Sequence, residues 1–338
     1  WKEEEMKILV TGGLGFIGSN FIHYLQKNFS EYSVINLDAE LLGSNRKNLS
    51  QFENSLNYKF VLGNINDKKL VDDLIQKVDG VINFAAESHV DRSILDSKPF
   101  LESNIMGVYT LLDSIRHNNP KIRFLQISTD EVFGSLSTGF AKEANVFRPS
   151  NPYSASKASA ELIVESYHKT YGMDVIITRC TNNFGPQQFP EKVIPKTIIR
   201  AQQNMKIPIY GTGKNIRDWL YVEDHCDAIL KVFLNGKKGE SYNISDSNEL
   251  TNIELIEKIL EHMGKSKDLI YFVEDRPGHD LRYGMDSSKI RSKLGWKPKN
   301  NISSNLETTI SWYLENREWW DKLATEEMLD ATPWKKYR

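Results

Sequence analysis

The chain of 338 residues carries 43 lysines and arginines against 45 aspartates and glutamates, a net charge of −2. With 40% hydrophobic and 26% charged residues it is composed like a globular protein of about two domains, which excludes a disordered chain and a nucleic-acid binder that relies on bulk positive charge. Two cysteines, Cys180 and Cys226, are too few for a disulfide scaffold or a multi-cysteine metal site, and they point to a reducing, cytoplasmic setting.

No apolar run reaches the ~18 residues that a membrane-spanning helix needs. The opening Trp1-Lys2-Glu3-Glu4-Glu5 lacks the basic start and apolar core of a secretory leader, so residues 1–5 read as an extension ahead of a native start at Met6. From there, strand-length apolar runs alternate with helix-length segments. Lys7–Thr11, Tyr32–Asp38, Tyr58–Gly63, Gly80–Ala86, Ile122–Ser128 and Asp174–Cys180 predict buried strands. Ile17–Lys27, Lys68–Gln76, Pro99–Arg116 and Ser154–Tyr171 predict helices between them. That alternation implies an α/β chain with a Rossmann-type, doubly wound parallel sheet over residues 6–185. Beyond Gly185-Pro186 the pattern changes, and residues 186–338 read mainly as a smaller C-terminal α+β substrate lobe. A helix at Tyr221–Leu234 and a strand at Glu240–Ser245 are expected to return the chain to the sheet around 218–246. The last part holds Trp296, Trp312, Trp319, Trp320 and Trp334, to which the pattern assigns no role.

The first strand runs into Gly12-Gly13-Leu14-Gly15-Phe16-Ile17-Gly18. Gly12 permits a tight turn, Gly15 a close approach of backbone to a pyrophosphate at a helix N-terminus, and Gly18 close packing of helix on strand. Asp38 ends the next strand twenty residues beyond Gly18. Its carboxylate suits ribose hydroxyls and repels a 2′-phosphate, so NAD is favoured over NADP; Arg46 is a nearby arginine that could serve a 2′-phosphate.

Tyr153 and Lys157 stand four apart on one helix face, where an ammonium can stabilise a phenolate and make the tyrosine a base. Ser128 and Thr129, at the end of the preceding strand, offer hydroxyls to a substrate oxygen.

Together, Thr11–Gly18 and Tyr153…Lys157 resemble the extended short-chain dehydrogenase/reductase family, and Thr129-Asp130-Glu131-Val132-Phe133-Gly134 narrows the likeness to the nucleotide-hexose 4,6-dehydratases. Ala85–Ser93, Arg179–Pro186, Arg217–Val222 and Asp275–Asp280 extend the resemblance over nearly the whole chain. Dehydration needs an acid for the leaving hydroxyl and a base for a carbon-bound proton, roles that two adjacent carboxyls can divide, whereas a plain 4-epimerase needs neither. The resemblance implies that Tyr153 takes the proton of the C4 hydroxyl, that Glu131 removes the C5 proton, that Asp130 protonates the departing C6 hydroxyl, that Thr129 steadies the C4 oxygen and that Lys157 also holds the nicotinamide ribose.

The resemblance further implies NAD contacts from Phe16, Ile17, Asn64, Ile65, Ala85, Ala86, Ser88, Asn104, Ser128 and Asn183. It points to Asn182, Lys192, Arg217 and Arg276 for the phosphates and sugar, to Pro208–Tyr210 (Pro208 and Tyr210) and Asn252 near the nucleoside, and to Ser88, Val193 and His279 against the same substrate. The seven histidines form no H-x-x-x-H or Cys/His cluster, so no metal is expected. Two departures stand out: 39–44 reads Ala-Glu-Leu-Leu-Gly-Ser where the family has x-Leu-Thr-Tyr-Ala-Gly, and Asn64 replaces an aspartate facing the adenine. The expected substrate is a nucleotide-hexose, dTDP-glucose first, with UDP-glucose or UDP-N-acetylglucosamine as alternatives and the 39–44 loop as one determinant. A 4-epimerase, a UDP-glucuronate decarboxylase and a non-catalytic NAD-binding protein are the competing readings. A homodimer is expected from the helices Pro99–Arg116 and Ala155–Tyr171, which carry apolar residues on more than one side: Ile105, Val108, Leu111, Leu112 and Ile115; Ala158, Leu162, Ile163 and Tyr167.

Overall fold

The computed structural model describes residues 6–299 and 301–335; the expected extension at 1–5 lies outside them. The first six strands are β1 (Lys7–Thr11), β2 (Ser33–Asp38), β3 (Tyr58–Leu62), β4 (Gly80–Asn83), β5 (Arg123–Thr129) and β6 (Val175–Cys180). They are followed by β7 (Asn182–Phe184), β8 (Ile207–Tyr210), β9 (Ile216–Tyr221), β10 (Ser241–Ile244), β11 (Glu249–Thr251) and β12 (Ile270–Val273).

A seven-stranded sheet has the order β10-β6-β5-β4-β1-β2-β3, with every pairing parallel. Strands such as β4 and β6 are buried at every residue because helices cover both faces, which is why they open on apolar runs. Phe21, Ile22 and Leu25 of the Phe16–Asn28 helix and Ile229, Val232 and Phe233 of Val222–Asn235 fill one face. Val71 and Leu74 of Lys68–Ile75, Leu111 and Ile115 of Gly107–Asn118 and Val164 of Pro152–Tyr171 fill the other. The chain leaves β1 in both directions, so the order reverses between β1 and β4. Ligands bind at such a switch point, beyond the carboxyl ends of the strands. As expected, β10 returns to the edge of this sheet beside β6.

The other strands form a sheet of order β11-β9-β7 and a pair β12-β8. Trp219, Tyr221, Trp319 and Trp320 pack with Leu255, Ile259 and Tyr313 into a separate core beneath them. Trp296 belongs instead to the main core, where its indole donates to the Asp224 carbonyl at 3.2 Å.

Three elements differ from expectation by more than one residue at an end. The strand expected over Gly80–Ala86 ends at Asn83, and Phe84–Ala86 turn into the cleft. The helix expected over Pro99–Arg116 is interrupted: helical turns at Lys98–Leu101 and Gly107–Asn118 flank a π-helical turn at Glu102–Met106. Inside that turn Asn104 leaves the helix pattern to bind another segment. Its Oδ1 accepts from Glu87 N at 2.8 Å, and its Nδ2 donates to Glu87 O at 3.0 Å and Ser156 Oγ at 2.8 Å. Such one-turn bulges often accompany functional sites. The helix expected to begin at Ser154 begins at Pro152, because Asn151 and Ser154 form a reciprocal capping box: Ser154 N donates to Asn151 Oδ1 at 2.9 Å and Asn151 N to Ser154 Oγ at 3.2 Å. That cap sets Tyr153 in the first turn.

Candidate active site

Two adjoining cavities of about 310 Å³ and about 180 Å³ run along the carboxyl ends of the strands and share Ser88, His89, Glu131, Asn182, Glu191 and Lys192 as walls. The larger begins at the glycine-rich turn. Gly12 has φ 69°, and a Cβ there would lie 2.6 Å from Ala85 N. A Cβ on Gly18 would lie 2.4 Å from the Gly12 carbonyl oxygen. Gly15 caps the Phe16–Asn28 helix without a side-chain partner and with no acid in the first turn, so free N–H groups and the helix dipole face this cavity. A backbone cradle that side chains would fill, open toward a helix N-terminus, fits a dinucleotide pyrophosphate.

Asp38 accepts from Leu14 N at 3.0 Å, Glu40 N at 2.8 Å and Ser44 Oγ at 2.9 Å; burial pushes its carboxyl up while these bonds oppose the shift. Arg46 is held by Glu40 and lies 4.5 Å over the Phe60 ring, and it is not among the residues lining the larger cavity. The loop at 39–44 contributes Ala39, Leu41, Leu42, Gly43 and Ser44 to this cavity and nothing to the smaller one. Its departure from the family pattern therefore lies at the Asp38 end of the cleft.

Every residue expected around the cofactor lines the larger cavity except Asn104, which acts through the Glu87 and Ser156 contacts described above. Ser128 presents a buried hydroxyl with no partner in the protein. Lys157 Nζ donates to the Ile127 carbonyl at 2.6 Å, and burial pulls its ammonium down to about 8. Tyr153 was expected to have its phenol lowered by this lysine. Burial wins, followed by the charge of Glu131, and the phenol is raised well above its ordinary value, with the Thr129 hydroxyl opposing.

Thr129 ends β5 and caps the short turn Asp130–Phe133, its Oγ1 accepting from Glu131 N at 3.3 Å. It also donates to Asp130 Oδ1 at 3.1 Å, while Asp130 Oδ2 is buried without a partner. Burial, and then the neighbouring Glu131 charge, push Asp130 up to about 8, so it carries a proton at neutral pH. Glu131 accepts from Tyr283 OH at 3.3 Å and from Asn151 Nδ2 at 3.5 Å, and lies where the two cavities meet. Two adjacent carboxyls thus sit in different surroundings, one poised as an acid and the other at the junction.

The smaller cavity brings together Lys192, Val193, Pro208, Tyr210, Arg217, Asn252, Arg276 and His279. The Arg217 guanidinium stacks 4.2 Å over the Tyr283 ring, and Arg276 Nη1 bonds Asp91 Oδ1 at 2.9 Å. Burial and then the Arg276 charge lower His279 to about 4, which keeps its ring neutral although Asp275 accepts from Nδ1 at 2.6 Å. Lys192 Nζ donates to the Ser88 carbonyl at 3.0 Å. Sequence reasoning missed His89, Asp91, Glu191, Lys196 and Tyr283 as walls of the cleft. The Lys192–Lys196 spacing was a readable signal for one of them, because residues four apart share a helix face. Tyr283 had none, since it reaches Glu131 from 152 positions away. Among the described residues no group of three His, Cys, Asp or Glu side chains is placed to hold a metal ion, and no helix is long and apolar enough to cross a membrane.

A glycine cradle with an acidic ribose site, a Tyr–Lys pair and a carboxyl dyad define a dinucleotide-dependent enzyme acting on a nucleotide-linked sugar. Residues 9–309 match the family described as GDP-mannose 4,6 dehydratase, and the chain belongs to it. It is 50% identical over 313 residues to the low-salt glycan biosynthesis protein Agl12 of Haloferax volcanii, covering 93% of this chain and 100% of that one. It is 43% identical over 332 residues to a dTDP-glucose 4,6-dehydratase of Streptomyces niveus, covering 97% and 98%. Among solved structures, DesIV of Streptomyces venezuelae, a dTDP-glucose 4,6-dehydratase with NAD bound, superposes with a TM-score of 0.91 at 42% identity over 94% of this chain and 100% of that one. The UDP-glucuronic acid 4-epimerase of Bacillus cereus shares the fold at a TM-score of 0.87 and 29% identity, covering 92% and 99%.

Proposed function

We propose that the protein is an NAD-dependent, redox-neutral nucleotide-sugar 4,6-dehydratase, a hydro-lyase that converts dTDP-glucose to dTDP-4-keto-6-deoxyglucose. The observation that carries this reading is the Asp130–Glu131 pair beside Tyr153, with Asp130 raised to about 8 and its Oδ2 free of protein partners. The identity to the Streptomyces niveus dehydratase and the likeness to DesIV support the substrate.

Tyr153, with Thr129 and Ser128 around the C4 oxygen, accepts the C4 hydroxyl proton as C4 becomes a ketone. The C5–H of a hexose is too weak an acid to remove directly, and a neighbouring C4 carbonyl makes it removable. Glu131 takes that proton, Asp130 delivers its own to the C6 hydroxyl, which leaves as water, and C5 is protonated again as C6 becomes a methyl group. Lys157, Asn183 and Asn64 bind the cofactor, with Asp38 at its adenosine ribose. NAD, when bound, supplies the hydride acceptor at C4, the hydride donor at C6 and a positive charge that favours the Tyr153 phenolate. Arg217, Arg276 and Lys192 bind the diphosphate, and Pro208, Tyr210 and Asn252 the nucleoside. Residues 6–185, joined again by 222–244, then form the NAD-binding unit, and most of the remainder the nucleotide-sugar lobe.

Mass spectrometry of dTDP- and UDP-hexoses after incubation tests the reading. Loss of one water from dTDP-glucose without net consumption of NAD is expected. An inert panel or simple C4 inversion would overturn it, and preference for a UDP-hexose would keep the chemistry and change the nucleotide.

The protein is further inferred to act as a homodimer. Most apolar residues that suggested one, including Val108, Leu111, Leu112, Ile115 and Ala158, are buried in their own subunit. Support comes instead from Leu101, Met106, Tyr109, Leu162 and Tyr171 on the same two helical segments, which are 42–57% exposed. A monomer by light scattering at micromolar concentration would refute the dimer. The free, buried Cys180 and Cys226 accord with a cytoplasmic location.

A further inference from the structure

Residues 328–335 line neither cavity, yet they hold several residues that do. Trp334, 3% exposed, meets the Tyr210 ring edge-on with centroids 4.6 Å apart. The Asp330 carbonyl accepts from Lys196 Nζ at 3.1 Å, the Leu329 carbonyl accepts from Arg200 Nε at 3.1 Å, and Met328 Sδ receives Arg92 Nη2 at 3.4 Å. Lys335 pairs with Glu274, one residue before the loop that carries Asp275, Arg276 and His279. This strap is thus fastened by basic side chains from two other segments, Arg92 and the pair Lys196 and Arg200, and by its own Lys335 on Glu274.

The Tyr210 side of this arrangement is weakly held otherwise. Its hydroxyl reaches Asp91 Oδ2 only at 3.4 Å, and Asp91 is already engaged by Arg276 at 2.9 Å. The His279 ring lies 6.3 Å from it. Edge-to-face packing on the large, nearly buried indole is what restricts the tyrosine ring from behind while its other side faces the cavity.

We propose that the C-terminal strap is a positioning element for nucleotide binding, in which Trp334 backs the Tyr210 ring and the Asp330 carbonyl orients the Lys196 ammonium in the wall that receives the nucleoside end of the substrate. This rests on the nucleotide-sugar reading of the smaller cavity. A preordered wall binds more tightly because less side-chain freedom is lost when the ligand arrives.

Titration calorimetry with thymidine 5′-diphosphate, with NAD in parallel, provides the test. Trp334→Ala should weaken thymidine diphosphate binding about tenfold, the loss expected from one aromatic contact and one freed ring. The KM for dTDP-glucose should rise in step, with kcat within about twofold and NAD affinity unchanged. Trp334→Phe should restore binding to within about threefold. If Trp334→Ala does not fold, Trp334→Leu keeps much of the volume without the ring and should show the same split; failure of both to fold would make Trp334 a core residue and overturn the proposal. Unchanged thymidine diphosphate affinity, equal losses for NAD and nucleotide, or no rescue by phenylalanine would also overturn it. A wild-type protein that binds no nucleoside diphosphate would refute the nucleotide-sugar reading itself, and the strap's role with it.

Discussion

Replacing Asp130 by asparagine tests whether a neutral carboxyl expels the C6 hydroxyl. The side chain is 4% exposed, with Oδ1 bonded to Thr129 at 3.1 Å and Oδ2 without a partner. An asparagine has the same shape: its oxygen can keep the threonine bond, and its amide takes the place of the protonated Oδ2. That amide donates a hydrogen bond but cannot surrender a proton, so water loss should slow by ~10²–10⁴ while oxidation at C4 proceeds. Single-turnover absorbance at the reduced-nicotinamide band should therefore show the signal persisting in the variant. Stability supplies an independent magnitude. Burial and Glu131 raise the carboxyl from 3.8 to about 8, so between those values the folded chain holds a proton that the unfolded chain releases. This contribution is fully present below about pH 4 and is lost as pH rises through 8, by at most about 6 kcal/mol at ~1.4 kcal/mol per tenfold change in proton affinity. Asparagine lacks the slope. Urea unfolding at pH 4–8 should find the variant near wild type at the acid end and several kcal/mol more stable at the alkaline end, and wild-type kcat should fall above about pH 8. A stability difference independent of pH, or normal turnover by the variant, would refute the reasoning.

Tyr153→Phe should block the first oxidation, so that no reduced-nicotinamide signal forms and turnover falls by ~10²–10⁴; accumulation of that signal would reassign the base. Gly18→Ala places a methyl 2.4 Å from the Gly12 carbonyl oxygen, and should weaken NAD at least tenfold and cost ~1–3 kcal/mol of stability; unchanged affinity by fluorescence titration would reject the cradle. Glu161→Gln breaks a buried pair in which Arg179 Nη2 lies 2.6 Å from Glu161 Oε2, and should cost ~3–5 kcal/mol in urea unfolding. The double variant Glu161→Leu/Arg179→Met should recover most of that loss, because no buried charge is left unpaired; failure to recover would mean that the pair is worth more than its packing.

The parallel sheet was legible in the sequence because strands buried on both faces are rich in apolar residues, as Ile8–Val10 of β1, Val81-Ile82 of β4 and Val175–Ile177 of β6 are. The glycine spacing, Asp38, the Tyr153–Lys157 pair and the Asp130–Glu131 dyad were legible for a related reason: each depends on neighbours a few residues apart, within one turn or one helix face. Asn104 shows where local reading stops, since its side chain leaves a helical pattern to bind Glu87 and Ser156, and periodicity does not register a long-range amide bond. The 39–44 loop departs visibly from the family, yet only the tertiary structure puts that departure at the Asp38 end of the cleft. The raised carboxyl of Asp130 and the raised phenol of Tyr153 likewise belong to no residue alone, because both arise first from the burial that folding imposes and then from the Glu131 charge. Tyr283 behind Glu131 and Trp334 behind Tyr210 lie farthest from local reading. Composition and short-range spacing therefore determined the layers and the candidate reacting groups, while burial on folding decided their pKa values, and contacts as distant as Tyr283 to Glu131 decided the walls of the cleft, whose geometry no local pattern encodes.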